Sequence, residues 1–239
     1  MAKELAKYQA ENGTEIVITD VDVKRVLCDN QNVTDAEMKM FVSLCKAQRL
    51  NPFIKEAHLI KYGNKPATIV TGKDVFTKRA ARNPKFRGFE AGVTVIDKDG
   101  RIERRAGSMV GSSTERLIGG WCSVHLEGYE VPMFDEVSFE EYAGRKSDGS
   151  LNSQWKSKPG TMIRKVAIVH ALREAFPEDL QGLYDASEMG VEQPGEPMGA
   201  PAGAAGWEAD AADAYEEAID GIDVDECDEL GVIMEVEAI

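Results

Sequence analysis

The residues best placed to do chemistry are Gly72 and Lys73, because a β-like run, "ATIV", leads into "TGKD" in the manner of a phosphate-binding loop. Such a loop needs a Gly five positions before its Gly-Lys pair and a Ser or Thr directly after it, so that backbone amides cradle phosphate and a hydroxyl reaches magnesium. Ala67 and Asp74 hold those two positions, so an ATPase reading fails on both counts. There is no HExxH or GxSxG pattern, and no spacing pairs Cys28, Cys45, Cys122 or Cys227 with His58, His125 or His170. The scattered cysteines read as reduced core thiols rather than a zinc site. Asp97 and Asp99 lie in a turn signal, where carboxylates usually cap backbone amides. An apparent calcium loop starting at Asp223 has Cys227 at its fifth position and lacks the required Gly. His170, inside an apolar helical run, reads as a hydrogen-bonded interior residue rather than a catalyst.

What remains is charge. The chain of 239 residues carries a net charge of −14. Its last fifty residues, 190–239, hold 15 Asp and Glu and no Lys or Arg. Taking those 15 from the 42 acidic residues of the chain leaves 27 against 28 basic ones in residues 1–189, so the body is balanced and the tail acidic. Within that body, "TGKDVFTKRAARNPKFRGF" (71–89) sets Lys73, Lys78, Arg79, Arg82, Lys85 and Arg87 against Asp74 alone. A second cluster in 144–173 sets Arg145, Lys146, Lys156, Lys158, Arg164, Lys165 and Arg173 against Asp148. For any single Lys a solvated surface position is the commoner role. Two clusters in a balanced body point instead to a polyanion.

The elements that position these cations read as a mixture of helices and hairpins. Thr34 with Glu37 three residues on is a capping box, and Met38, Phe41, Val42 and Cys45 make one apolar stripe up to Asn51-Pro52. A hairpin is predicted around Gly63-Asn64, a helix from about Gly72 to Arg82, and a second hairpin turning at Asp97 to Gly100. "LIGGWCSVHLEGYEVPMFDEV" supplies one or two more strands, and after a polar loop around Gly144 to Pro159 comes the helix "TMIRKVAIVHALREAF". On the first cationic helix Val75, Phe76 and Ala80 face the core, opposite Lys78 and Arg82. Lys158 and Arg164 bracket the start of the second, where the exposed amides also favour phosphate. Trp155 either stacks on a base or anchors its loop to the core, and buried aromatics outnumber exposed platforms. The organisation expected is a core over 1–189, a Gly/Pro/Ala linker over 190–206 and an acidic segment over 207–239, where Trp207, Ala211, Ala214, Tyr215 and Ala218 fall at the spacing of a short helix that orders on a partner. The polar amino terminus lacks the pattern of a secretory signal and no apolar run approaches the roughly 20 residues of a membrane span, so a cytoplasmic protein is expected.

"LNPFIKEAHLI", "TGKDVFTKRAA" and above all "WKSKPGTMIRKVAIVHALREAFPEDLQGLYD" resemble the phage recombinases of the RecT and lambda Red beta type, and the similarity covers roughly residues 30–186. The resemblance implies an α+β fold in which a small antiparallel sheet of hairpins packs with helices around a deep basic groove. It also implies ATP-independent annealing of single-stranded DNA in homologous recombination by subunits assembled into rings or filaments in a bacterial host. Carried over by position, Lys55 of "FIKE", Lys61, Arg164 of "MIRK" and Arg173 of "LREAF" would hold phosphates. Charge and placement add Lys73, Lys78, Arg79, Arg82, Lys156, Lys158 and Lys165, with Trp155 between them, although one helix cannot aim Lys78, Arg79 and Arg82 equally at one strand. The lambda protein has a basic pair where Gly160-Thr161 stands here, which implies a weaker grip at that point or the use of Lys158 and Lys165 in its place. The resemblance makes the acidic segment a docking element for a companion 5'-3' exonuclease and the host single-strand binding protein, or a competitor of DNA for the groove. No cofactor, metal or catalytic residue is expected. Two rivals from other classes are a magnesium nuclease using Asp97, Asp99 and Glu103, and a protein-interaction scaffold with incidental basic patches.

Overall fold

Asn12-Gly13 is a dipeptide suited to a tight turn, and it joins strands β1 (Glu4–Gln9) and β2 (Glu15–Thr19) in an antiparallel hairpin. Gly13 takes a positive φ of 83° there. Ile16 and Ile18 of β2 face inward and Val17 outward, the alternation of a strand covered on one side. This is a computed structural model, and it describes residues 2–28, 32–111 and 114–189, all within the unit Met1–Glu196. The predicted linker, the acidic segment with Trp207 and Tyr215, and Cys227 lie outside the described residues.

The one-turn helix α1 (Asp20–Asp22) and a short wide turn lead towards α2 (Asp35–Ala47). The capping box closes as its sequence predicts: the Glu37 amide donates to Thr34 Oγ1 at 3.3 Å, and the Thr34 amide donates to Glu37 Oε2 at 2.8 Å. Met38, Phe41, Val42 and Cys45 are all buried. Beyond Arg49, the single 3₁₀ turn Pro52–Ile54 ends at Lys55, a non-glycine residue with φ of 65°. Strands β3 (Ala57–Ile60) and β4 (Thr68–Thr71) pair antiparallel, and α3 (Lys73–Arg82) follows, stopped before Pro84.

The largest sheet has four antiparallel strands in the order β6-β5-β7-β8, built from β5 (Phe86–Asp97), β6 (Ile102–Ala106), β7 (Glu115–Leu126) and β8 (Met133–Ser138). The β5–β6 turn is held by Asp97, whose Oδ1 accepts from the amides of Asp99 at 2.8 Å and Arg101 at 2.9 Å. The short helices α4 (Phe139–Tyr142) and α5 (Ser153–Ser157) precede the 17-residue α6 (Pro159–Ala175), and α7 (Pro177–Leu180) closes the series. Helix α6 buries Met162, Ile163, Val166, Ala167, Ile168, Val169, Ala171 and Leu172, too wide an apolar surface for a helix covered on one side only. It lies on β5, β7 and β8 and also packs against α3. A Cβ at Gly120 would stand 2.6 Å from the carbonyl oxygen of Ile163, so the close seat of α6 on β7 requires glycine.

The α+β class with small antiparallel sheets and several helices therefore agrees with the sequence reading. Two elements differ from it. The amino-terminal stretch, to which the sequence reading assigns no element, forms the β1–β2 hairpin, and the polar loop contains α5, capped by Asn152 Oδ1 accepting from the Trp155 amide at 3.0 Å. Among the described residues no helix is long and apolar enough to cross a membrane.

Candidate nucleic-acid interface

Helix α3 buries Val75, Phe76 and Ala80 and exposes Lys78 and Arg82. Lys78 Nζ lies 3.4 Å from Glu56 and Arg82 Nη1 2.8 Å from Glu11; both cations are about half exposed, so the pairs contribute little and a competing anion can take the place of the carboxylate. Lys73 opens the helix, with its Nζ 3.6 Å from Asp74. Exposed Lys55 is beside it in space, since a Cβ at Gly72 would meet the Lys55 carbonyl oxygen at 2.9 Å. Arg79 does not share this surface. Its guanidinium is buried and donates to Gln48 Oε1 at 2.8 Å, to the Asp179 carbonyl at 2.7 Å and to the Gln48 carbonyl at 2.5 Å. It ties α2 and α7 to α3, and a side chain with those partners presents no donor face to DNA. Arg79 also lines a cleft of about 450 Å³ with Arg49, Arg82, Glu11, Glu178 and Asp179, whose mixed charges favour no polyanion.

Lys61 is likewise tied into the fold. Only 6% of its side chain is exposed, and Nζ donates to both carboxylate oxygens of Glu37 at 2.7 and 2.9 Å. Glu37 also accepts from the amides of Thr34 and Ala67. The Lys61 bond, with those amides, pulls the Glu37 carboxyl down to about 2. One carboxylate thus caps α2 and pins the β3–β4 hairpin to it.

At the other cluster Lys156 and Lys158 are exposed, and no ion pair holds them among the described residues. Arg164 is half-buried between α6 and the sheet, where its Nε donates to the Ala91 carbonyl at 3.2 Å. Trp155 is 1% exposed and meets Phe139 edge-on, with ring centres 5.6 Å apart. That position settles the two readings of Trp155 in favour of the core, because neither ring face is open to a base.

Further along α6, Lys165, His170 and Arg173 meet the carboxylates of the segment after α7. Lys165 Nζ is 3.4 Å from the fully buried Asp185. Arg173 contacts Glu188 at 2.7 and 3.0 Å and lies over the ring of Tyr184, 4.9 Å from its centre. His170 stands between Glu188, 2.9 Å from Nε2, and Asp135 of β8, 3.4 Å from Nδ1. Burial alone would lower the His170 pKa, but its bonds to Asp135 and Glu188 prevail and raise it to about 9. Burial would raise the Glu188 carboxyl, and the bonds from His170 and Arg173 hold it below its usual value instead. Lys165 and Arg173, expected at the DNA surface, therefore help hold residues 183–189 against α6. The same segment reaches β4 through the Thr71 amide, which donates to the Tyr184 carbonyl at 2.7 Å.

Two of the three carboxylates of the nuclease reading are also employed locally, Asp97 in its turn and Glu103 3.5 Å from Arg105. Among the described residues no group of three His, Cys, Asp or Glu side chains is placed to hold a metal ion. Burial pushes the thiols of Cys45 and Cys122 up to about 12, as for packed, unreactive cysteines.

Fold and side-chain placement define an α+β protein in which Lys78 and Arg82 of α3 and Lys156 and Lys158 ahead of α6 are exposed cations. The chain matches the model of the RecT family over residues 13–198, most of its length, and it belongs to that family. It is also 29% identical, over 166 residues, to the uncharacterized protein UU154 of Ureaplasma parvum serovar 3. That alignment covers 67% of this chain and 65% of the relative, so the chain spans just under two thirds of the relative's length.

Three further residues with a conspicuous arrangement, Arg104, Trp121 and Phe134, are not among the sequence candidates. Alternation offers the one signal for them: "GGWCSVHL" puts Trp121, Ser123 and His125 on one side of a strand and the apolar residues on the other.

Proposed function

We propose that this chain binds single-stranded DNA through its phosphate backbone and anneals complementary strands without ATP, as part of phage-type homologous recombination. The RecT family match over residues 13–198 carries this reading. Annealing makes and breaks no covalent bond; it needs strands held extended with their mutual repulsion cancelled. Lys55, Lys73, Lys78, Arg82, Lys156 and Lys158 are the phosphate contacts, with Arg164 at the margin of the sheet, and together they form the wall of the basic groove. Contacts to phosphate carry no sequence preference. Self-association into a ring or filament multiplies a weak grip along the strand. The acidic segment 207–239, joined through the 190–206 linker, is the docking element for a companion exonuclease and the host single-strand binding protein, and the site of action is the cytoplasm of a bacterial host.

The test is annealing of two complementary oligonucleotides in the absence of ATP, comparing the intact chain with a Lys156→Ala, Lys158→Ala variant. Annealing by the intact chain and a clear loss in the variant is the expected result. Equal annealing by the two would remove these lysines from the interface, no annealing by the intact chain would remove the function, and cleavage of the strands with magnesium would favour the nuclease reading.

A further inference from the structure

The four-stranded sheet has a face that α6 does not cover. Cross-strand partners point to the same side, so Val93, Gly120 and Val137 lie under the helix, while Thr94, Gly119 and Ser138, together with Gly92, Trp121 and Glu136, lie on the other side. On β6, Arg104 and Ala106 oppose Thr94 and Gly92 and share that side. It is open to water: Phe134 is 46% and Ile102 66% exposed, and Glu90, His125 and Arg116 are exposed as well.

Its centre is built rather than incidental. A Cβ at Gly92 would overlap the Arg105 carbonyl oxygen of β6 and stand 2.8 Å from Trp121 Nε1, so glycine admits both the β6 backbone and the indole, which lies against the sheet. The Trp121 and Phe134 rings are nearly parallel, 22° apart with centres 6.4 Å from each other. The Arg104 guanidinium lies 5.1 Å from the centre of Phe134. Glu136 fixes it there, accepting from Arg104 at 3.1 and 2.5 Å and from Thr94 Oγ1 at 2.5 Å. Positive charge borders the rings at one end. Lys98, Arg101 and Arg116 are exposed around the β5–β6 turn, where Ile96 pairs with both Ile102 and Arg116. Of the carboxylates at this end, Asp97 holds the turn and Glu115 pairs with Arg105, which leaves Asp99 facing the cations there, while Glu90 faces the open side at the far end, across β7 from Phe134.

We propose that this face is a stacking platform for the bases of single-stranded DNA, with Trp121 and Phe134 receiving bases and Arg101, Arg104 and Arg116 meeting the phosphates beside them. The proposal rests on the reading of the chain as a single-strand binder and adds a second mode of grip to it. Flat aromatic surface bordered by cations matches a polymer that is apolar on its base faces and anionic along its backbone. Stacking occupies only the face of a base. The pairing edge stays free for a second strand, as annealing requires, and every base has a face to offer, so no sequence preference results.

The test separates bases from phosphates. A Trp155→Phe, Trp207→Phe chain, checked by its circular dichroism and thermal melting, leaves Trp121 as the sole tryptophan reporter. Titration with oligodeoxythymidylate is expected to quench its emission, while an abasic oligomer of the same length leaves it unchanged. In the otherwise native chain, which needs no tryptophan replacement, Phe134→Ala is expected to weaken thymidylate binding by about tenfold and leave abasic binding as it was. Unquenched Trp121 emission together with unchanged thymidylate affinity in Phe134→Ala would overturn the platform while leaving backbone binding intact. Emission that shifts with protein concentration in the absence of DNA would assign the face to contact between copies of the chain instead. Failure of both oligomers to bind would remove the platform together with the proposed function.

Discussion

Just before helix α6 and along it lie two sets of cations that look alike in sequence and behave differently in the fold. Lys156 and Lys158, just before the helix, stand in water. Lys165, His170 and Arg173 lie between α6, β8 and residues 183–189, each within 3.4 Å of a carboxylate of Asp135, Asp185 or Glu188. The difference is one of desolvation. A cation kept in water exchanges one weak counterion for another at little cost, whereas a cation taken out of water needs its partner permanently, because leaving it unpaired is expensive. Basic residues of the first kind are suited to reversible contact with phosphate, and those of the second kind hold the structure together.

The comparison breaks most visibly at Glu188. Its replacement by Ala strips Arg173 and His170 of their shared carboxylate and is expected to destabilise the chain by about 3 kcal/mol. For a domain of this size that corresponds to a fall in Tm on the order of 10 °C, readable by thermal melting. A change of under about 0.5 kcal/mol would show that the cluster is as dispensable as a surface pair. Gly120→Ala is expected to cost about 1–3 kcal/mol by forcing α6 away from β7, an effect of packing alone that should leave the pH dependence untouched.

A smaller effect comes from His170. Its folded-state pKa, raised to about 9, lies above the ordinary value of 6.5. Its contribution is therefore fully present below about pH 6.5, declines as the pH rises, and is lost above about 9. The Glu188 carboxyl has the opposite sign: it is depressed, so its contribution is present above its ordinary value of 4.5 and disappears as the pH falls through the lowered one. Urea unfolding between pH 6 and 9.5 should show stability falling with pH in the native chain and a flatter profile in His170→Gln. Parallel profiles would mean that the imidazole is not charged in the fold.

Local structure was legible where a short stretch contains its own cause. The Thr34/Glu37 box, the Met38–Phe41–Val42–Cys45 stripe, the α3 stop at Asn83-Pro84 and the Asp97 turn all depend on neighbours within a few residues, and each stands where its sequence places it. The β1–β2 hairpin also had a local signal in Asn12-Gly13, but one set within a polar stretch without a clear apolar alternation on its first strand. The fate of individual cations was not legible. Arg79 is tied into the fold by Gln48 and Asp179, Lys61 by Glu37, and the half-buried Arg173 by Glu188. Gln48, Glu37 and Asp179 are 24 to 100 positions away from the cations they hold. Charge density along a sequence reports where basic residues are made, and only the fold decides which of them keep their water.

The mildest change to the fold should be the most informative about the interface. Lys156→Ala and Lys158→Ala remove exposed side chains without described partners, so their effect on stability is expected to stay within about 0.5 kcal/mol. If each lysine holds one phosphate, binding to a single strand should lose roughly 0.7 from the slope of log affinity against log salt for every lysine removed. Glu188→Ala should behave in the reverse manner, lowering Tm strongly and, below the melting temperature, leaving that slope alone. Fluorescence anisotropy over a series of salt concentrations, run beside thermal melts of the same variants, places each residue on one side or the other. A lysine variant that melts early with an unaltered salt slope, or a Glu188 variant whose slope changes while its Tm does not, would reverse the division drawn along α6.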